Sequence, residues 1–161
     1  MCSGTFRKEE TTVDNPYMRE ALEEARMAMQ EDEVPIGAVI VYKDQVIARA
    51  HNHKEKKQEA TSHAEIEVIQ EASKVLQTWN LSDCDLYVTL EPCPMCAGAI
   101  QLARIRTVYY GAIDTKGGAI ESICRLYNHK GFNHYPVTYG GILEEDCQNI
   151  LKQYFQSKRN K

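Results

Sequence analysis

The stretch Glu91-Pro92-Cys93-Pro94-Met95-Cys96 constrains this chain more than any other, because it joins an apolar run, Leu86 to Leu90, to the start of a helix. Proline suits the first helical position, where its missing N–H would have found no intrahelical partner. Pro94 therefore predicts Cys93 as the N-cap and puts Cys96 one turn on, on the same face. Both sulfurs then sit at the positive end of a helix, where unsatisfied N–H groups and the macrodipole favour thiolate over thiol. Two thiolates supply half of a tetrahedral zinc site. The remaining donors must come from elsewhere in the chain.

A length of 161 residues suits one domain with a core that needs no disulfides. With 43% apolar and 26% charged residues, the composition is that of a globular protein, free of low-complexity tracts and repeats. No apolar run approaches the length of a membrane span. The first residues, Met1-Cys2-Ser3-Gly4-Thr5-Phe6-Arg7-Lys8, lack an apolar signal core, so the expectation is a cytoplasmic protein with no membrane association. In a reducing compartment the six cysteines are expected free or metal-bound. Cys2, Cys84, Cys124 and Cys147 have no partner at metal-ligand spacing and read as small buried or incidental residues. A net charge of −4 argues against a broad basic face for nucleic acid. Two local clusters remain: Lys54, Lys56 and Lys57, and Lys152, Lys158, Arg159 and Lys161. Such runs are usually solvated surface, yet a local patch can bind RNA despite a negative total.

Residues 1–13 are polar and aperiodic, and read as a loose, flexible extension ahead of a single domain over 14–161. Asn15 as cap and Pro16 at the first position open a helix whose apolar residues, Tyr17 to Met29, recur at helical spacing to about Gln30. Ile36 to Tyr42 and Gln45 to Ala50 read as two strands joined by a Lys43-Asp44 hairpin turn. A polar loop, His51 to Ser62, leads to a second helix from His63 through Leu76. The strand Leu86 to Leu90, the cysteine-bearing helix and a strand Thr107 to Ala112 follow. A short helix is expected near Ala119 to Leu126, then a short edge strand, Val137 to Tyr139. The last helix carries Glu144, Glu145 and Asp146 in its first turn and Lys158 and Arg159 at its end, as the macrodipole favours. Strands alternating with helices predict an α/β fold, a three-layer αβα sandwich with a mixed central sheet. Its first two strands should pair antiparallel and the later ones parallel through crossovers.

Position selects His63 as the third metal ligand, in Thr61-Ser62-His63-Ala64-Glu65. Like the cysteine pair it opens a helix after a strand-and-loop passage, so two helix N-termini should meet at one edge of the sheet. His51, His53, His129 and His134 read instead as solvated or hydrogen-bonded residues. Glu65 is what separates catalysis from scaffolding. A structural zinc is closed by four protein ligands, whereas a catalytic one keeps a position open for water and gains from a base beside it. Two thiolates cancel the formal charge of Zn²⁺, so such a metal acidifies its water less than a three-histidine site would, and a positioned glutamate supplies the missing proton acceptor. Residues two apart diverge on an ideal helix, so His63 and Glu65 converge only if the helix begins close to His63. Ligand softness favours zinc, with iron the alternative.

His63-Ala64-Glu65 followed by Pro92-Cys93-Pro94-Met95-Cys96 resembles the zinc signature of the cytidine and nucleobase deaminases. The resemblance narrows to the bacterial tRNA-specific adenosine deaminases and spans about Asn15 to Arg159. It is carried by Glu33-Val34-Pro35-Ile36-Gly37-Ala38-Val39, His51-Asn52, Leu86-Tyr87-Val88-Thr89-Leu90-Glu91, Met95-Cys96-Ala97-Gly98-Ala99, Tyr110-Gly111-Ala112-Ile113-Asp114 and Phe132-Asn133-His134. It implies a cytidine-deaminase-like fold with one Zn²⁺ per subunit, held by His63, Cys93 and Cys96 with water as the fourth ligand. Glu65 would take the water's proton and pass it to the ring and to departing ammonia, turning adenosine into inosine. The family substrate is the wobble adenosine of a tRNA anticodon stem-loop, and family members work as homodimers. Asn52 would face the flipped purine, or close a strand-end turn. Asp114 would lie near the ribose 2′-OH, or serve as a turn residue before Gly117-Gly118. The basic last helix would contact phosphates.

The sequence departs from the family at Ala60, where proline is usual, at Ser62, which replaces an alanine, and at Ile120-Glu121, where small residues are common. These positions are expected to alter loop shape. Two other readings compete. One is a deaminase of a free nucleobase or nucleoside such as guanine, since guanine deaminases also carry Pro-Cys-Pro-Met-Cys. The other is a non-catalytic zinc-stabilised RNA-binding module, against which Glu65 argues.

Overall fold

A computed structural model describes residues 5–7 and 14–160. Helix α1, Pro16–Gln30, starts as its sequence requires: Asn15 is extended, and its side chain accepts the Met18 amide at 2.9 Å. Strands β2, Gly37–Tyr42, and β3, Gln45–His51, form the hairpin. Lys43 and Asp44 turn it with φ of 49° and 62°, the left-handed pair that matches the twist of a tight hairpin. Then come a one-turn helix α2, Lys54–Lys57, inside the expected loop, and α3, Ala64–Leu76. Strand β4, Cys84–Leu90, runs into α4, Pro94–Leu102, and β5 spans Thr107–Ala112. Strand β6, Val137–Gly140, and helix α5, Glu144–Arg159, complete the domain.

The sheet order is β1-β6-β5-β4-β2-β3, where β1 is Thr5–Arg7. Strand β2 pairs antiparallel with both β3 and β4, while β4-β5, β5-β6 and β1-β6 are parallel. The expected loose extension over 1–13 thus contains a strand, and the rest of it lies outside the described residues. Strand β6, expected at an edge, lies between β5 and β1 because that N-terminal strand covers it. The helix expected near Ala119 to Leu126 is absent. Turns replace it, followed by a 3-10 turn at Leu126–Asn128, with Arg125 in the left-handed region at φ 43°. The reason is a competing acceptor: the amides of Ile120, Glu121 and Ser122 all donate to the buried carboxylate of Glu91.

Alternation along the strands builds two cores. Ala38, Ile40, Leu86, Val88 and Val108 pack with Ala64, Val68 and Ala72 of α3 and Ala97 and Ile100 of α4 on one face. Val39, Val41 and Tyr87 pack with Met18, Ala21 and Leu22 of α1 and Cys147 and Ile150 of α5 on the other. The period of two sends neighbouring residues to opposite faces, which makes the three αβα layers.

Gly37 sits where α1 crosses the start of β2. A Cβ there would lie 2.0 Å from the Ala21 carbonyl oxygen and 2.5 Å from the Ala25 amide nitrogen. Both are helix backbone and cannot turn away. Gly37→Ala is therefore expected to cost about 3 kcal/mol in urea denaturation; a loss below about 1 kcal/mol would contradict this close helix–strand approach.

Candidate active site

Strands β3 and β4 flank β2 and are both antiparallel to it, so they run in the same direction. The helices that follow them, α3 and α4, pack on the same face. Their N-termini therefore open at the same edge of the sheet. His63 is the N-cap of α3 (φ −83°, ψ 150°) and Cys93 the N-cap of α4 (φ −76°, ψ 173°), with Pro94 at the first helical position. Cys96, one turn on, is fully buried.

The His63 Nδ1 lies 3.6 Å from the Cys93 Sγ and 3.5 Å from the Cys96 Sγ. Zinc with bonds of about 2.3 Å to sulfur and about 2.0 Å to nitrogen sets tetrahedral S···N edges of about 3.5 Å, so the three donors fit that ion. Their protonation fits as well. A hydrogen bond from Cys96 holds the Cys93 thiol down at about 4 against burial, with His63 and the Cys96 amide adding to it. The same bond, with burial, pushes Cys96 up, and the bond to Cys93 raises His63. Three donors sharing protons this closely are a set in which a divalent cation can replace those protons.

Glu65 lies in the first turn of α3 and is 4% exposed. Because that helix starts directly after His63, ligand and acid need not diverge as they would mid-helix. Burial pushes the Glu65 carboxyl up to about 7, opposed by its own amide and by His63, and it also interacts with the Cys96 thiol. A carboxyl poised near neutrality can both take and return a proton.

Asn52 and Asp114 are in turn roles. Asn52 is buried just after β3; its amide donates to the Ile36 carbonyl at 3.1 Å, and its Oδ1 accepts the Lys54 amide at 3.4 Å. The next amide, of His53, donates to the Ser62 carbonyl at 3.0 Å and ties this segment to the one bearing His63. Asp114 Oδ1 accepts the amides of Lys116 and Gly117, each at 3.1 Å. Its residue also lines a cleft of about 760 Å³ with Val34, Ile36, Leu90, Lys158 and Arg159. Ser62, one of the departures, is buried and donates to Glu59 at 2.8 Å.

Two acids that sequence reasoning left without a role set the walls of this edge. Glu91 is 2% exposed and accepts the amides of Asp114, Ile120, Glu121 and Ser122 at 2.8–3.0 Å, plus the Ser122 hydroxyl. Burial alone would raise its carboxyl, but the Ser122 and backbone donors outweigh it and hold it below the ordinary glutamate range. Glu33 is fully buried and accepts the amides of Glu55 and Lys56 at 2.9 and 2.7 Å. One carboxylate thus orders the loop after β5 and the other the segment after Asn52. The signal for both was present: an acid ahead of a proline where an apolar run begins or ends.

A family model described as MafB19-like deaminase matches residues 13–159. The tRNA-specific adenosine deaminase of Bacillus subtilis (strain 168) is 49% identical over 150 residues, covering 93% of each chain. A solved structure from biochemical and structural studies of A-to-I editing by tRNA:A34 deaminases at the wobble position of transfer RNA superposes with a TM-score of 0.82 at 50% identity, covering 84% of this chain and 98% of that one. The guanine deaminase of Bacillus subtilis superposes with a TM-score of 0.60 at 32% identity, covering 92% of this chain and 96% of its own.

Gly118 packs directly on the Glu91 carboxylate: a Cβ there would lie 2.3 Å from its carboxyl carbon. Gly118→Ala is expected to cost about 2 kcal/mol in thermal denaturation while zinc content stays unchanged. Zinc lost together with stability would mean that this loop, and not the helix termini, holds the donors in place.

Proposed function

Because the chain belongs to the MafB19-like deaminase family, and within it to the tRNA-specific adenosine deaminases, we propose that it hydrolyses adenosine to inosine at the wobble position of a tRNA anticodon loop. The observation that carries the chemistry is geometric: the buried carboxyl of Glu65 lies in the first turn of the helix that His63 caps, and His63 meets the sulfurs of Cys93 and Cys96 at the paired helix N-termini. His63, Cys93 and Cys96 would hold one Zn²⁺ per subunit, and that ion would supply a Lewis acid that lowers the pKa of a water. Glu65 would take one proton from a water and deliver it to the purine ring nitrogen as the hydroxyl adds at C6, then carry the remaining hydroxyl proton to the amine, which leaves as ammonia while C6 becomes a carbonyl. Adenosine and water become inosine and ammonia. Asn52 presents its amide to the purine edge, and Asp114 accepts from the ribose 2′-OH, which favours RNA over DNA. Their support is their place in the two loops ordered by Glu33 and Glu91.

A single-stranded anticodon loop suits this site, because its bases can be splayed into a pocket cheaply. The cleft beside Asp114 supports the reading: Lys116, Lys158 and Arg159 supply positive charge there despite the net charge of −4. Ser62 and Ile120-Glu121 shape the loops against which that RNA would seat. The active unit is a homodimer. Leu102 of α4 is 76% exposed and shares a groove with Phe132, 43% exposed, a pairing that a second copy would cover. One deaminase domain, whose sheet includes the strand Thr5–Arg7, carries this activity in the cytoplasm where tRNA is found. No helix among the described residues is long and apolar enough to cross a membrane.

An anticodon stem-loop with adenosine at the wobble position is expected to yield inosine, while free adenine, adenosine, guanine and cytidine remain unchanged. Glu65→Gln should lower that rate by about 100-fold to 10,000-fold with zinc retained. Ammonia from guanine with the stem-loop untouched would overturn the substrate. Zinc lost from the Glu65 variant would overturn its role as a proton carrier.

A further inference from the structure

A second group of metal-ligating side chains lies outside the proposed active site, where α1 ends against β3 and α3. We infer that Glu31, His51 and His53 form a second site for a divalent transition metal, built from two imidazoles and one carboxylate. His51 ends β3 and His53 caps the one-turn helix α2, and their rings lie side by side with centroids 4.3 Å apart. Their Nε2 atoms converge on one oxygen: Glu31 Oε2 is 3.0 Å from that of His51 and 3.6 Å from that of His53. The three donor atoms all lie within 4.8 Å of one another. Ions of this class, with bonds near 2.0–2.2 Å, set donor separations of about 3–3.5 Å.

The opposite edge of each ring fixes its tautomer. His51 Nδ1 is 2.9 Å from Glu24, which is itself buried, and His53 Nδ1 is 2.9 Å from Glu67. Each carboxylate only accepts, so each Nδ1 carries a proton, and a neutral ring then turns its Nε2 lone pair toward Glu31. Lone pairs aimed at a carboxylate oxygen repel it unless positive charge lies between them. One proton on the buried His51, which burial opposes but the bonds to Glu24 and Glu31 favour, serves the His51–Glu31 pair alone and does nothing for the His53 Nε2, 3.6 Å from the same oxygen. A single divalent ion satisfies both lone pairs and the carboxylate together. Carboxylates behind the far nitrogens of metal-bound histidines are the usual outer support of such sites.

The donor set selects the class of ion. Two imidazoles with one carboxylate suit Zn²⁺, Co²⁺, Ni²⁺ or Fe²⁺, and not Mg²⁺ or Ca²⁺, which take oxygen donors. Glu31 is 35% exposed at its side chain and borders an open cleft with Asp32, Glu55 and Lys56, so an ion can reach it from that side. The two histidines also flank Asn52, so an ion bound there would pin that residue's backbone from both sides.

The full chain carrying its one tightly held zinc is titrated with Co²⁺ at neutral pH, with binding read by calorimetry and visible absorption. The expected result is one further equivalent of Co²⁺ with weak d–d bands and no sulfur-to-cobalt charge transfer. His53→Ala and Glu31→Gln, both at partly exposed positions, should each weaken that binding by about tenfold or more. Their melting curves and zinc content should stay those of the parent. Absence of a second equivalent, charge transfer showing replacement of zinc at the cysteines, or Co²⁺ bound equally well by both variants would overturn the site.

Discussion

The active edge of this protein depends on strand direction. Because β2 is antiparallel to both of its neighbours, β3 and β4 point the same way, and the chain leaving each of them must cross back over the sheet as a helix. Two helix N-termini consequently open side by side, and each begins on a side chain able to ligate a metal, His63 or Cys93. The Cys96 thiol, His63 and the Cys96 amide there stabilise negative charge on the Cys93 sulfur. The same start places Glu65 within the first helical turn, where burial keeps its carboxyl poised for proton transfer.

Rigidity at this edge comes from carboxylates enclosed by backbone amides. Glu91 gathers four amides and a hydroxyl, and Glu33 gathers two amides. A carboxylate satisfied in this way can stay ionised in the interior, and removing it would leave several buried donors unpaired. The arrangement explains why the chain after β5 turns instead of coiling into a helix. It also explains why Gly118 is needed: the carboxylate occupies the space where a side chain would stand.

What was legible in the sequence was local. Asn15 and Pro16 announced α1, Lys43-Asp44 announced the hairpin, and Pro94 announced a helix capped by Cys93, since each signal acts within four residues of its effect. Bringing His63 to the cysteines needed only strand order and helix starts, which alternation conveys. Long-range partners were not legible: Glu91 and Ser122 are thirty-one residues apart, and nothing in the pattern from Ala119 to Leu126 reveals that its amides are already engaged. The position of β6 was misjudged for a similar reason, because a strand at Thr5–Arg7 pairs with it from the far end of the chain. His51 and His53, read singly, looked solvated or hydrogen-bonded; only the fold brings Glu24, Glu31 and Glu67 around them. Asn52 and Asp114 were open to two readings each. Their visible bonds are those of turns, and a bound base or ribose would add to that role.

The central claim is that two helix N-termini assemble a site of two sulfurs and one imidazole with a fourth position left for water. X-ray absorption at the zinc edge, on the chain loaded with a single equivalent of zinc, tests it most directly. The account predicts two sulfur neighbours near ~2.3 Å and two lighter neighbours near ~2.0 Å, in both the parent and Glu65→Gln. A shell of light atoms alone, or a light-atom shell that loses one member in the Glu65 variant, would contradict it.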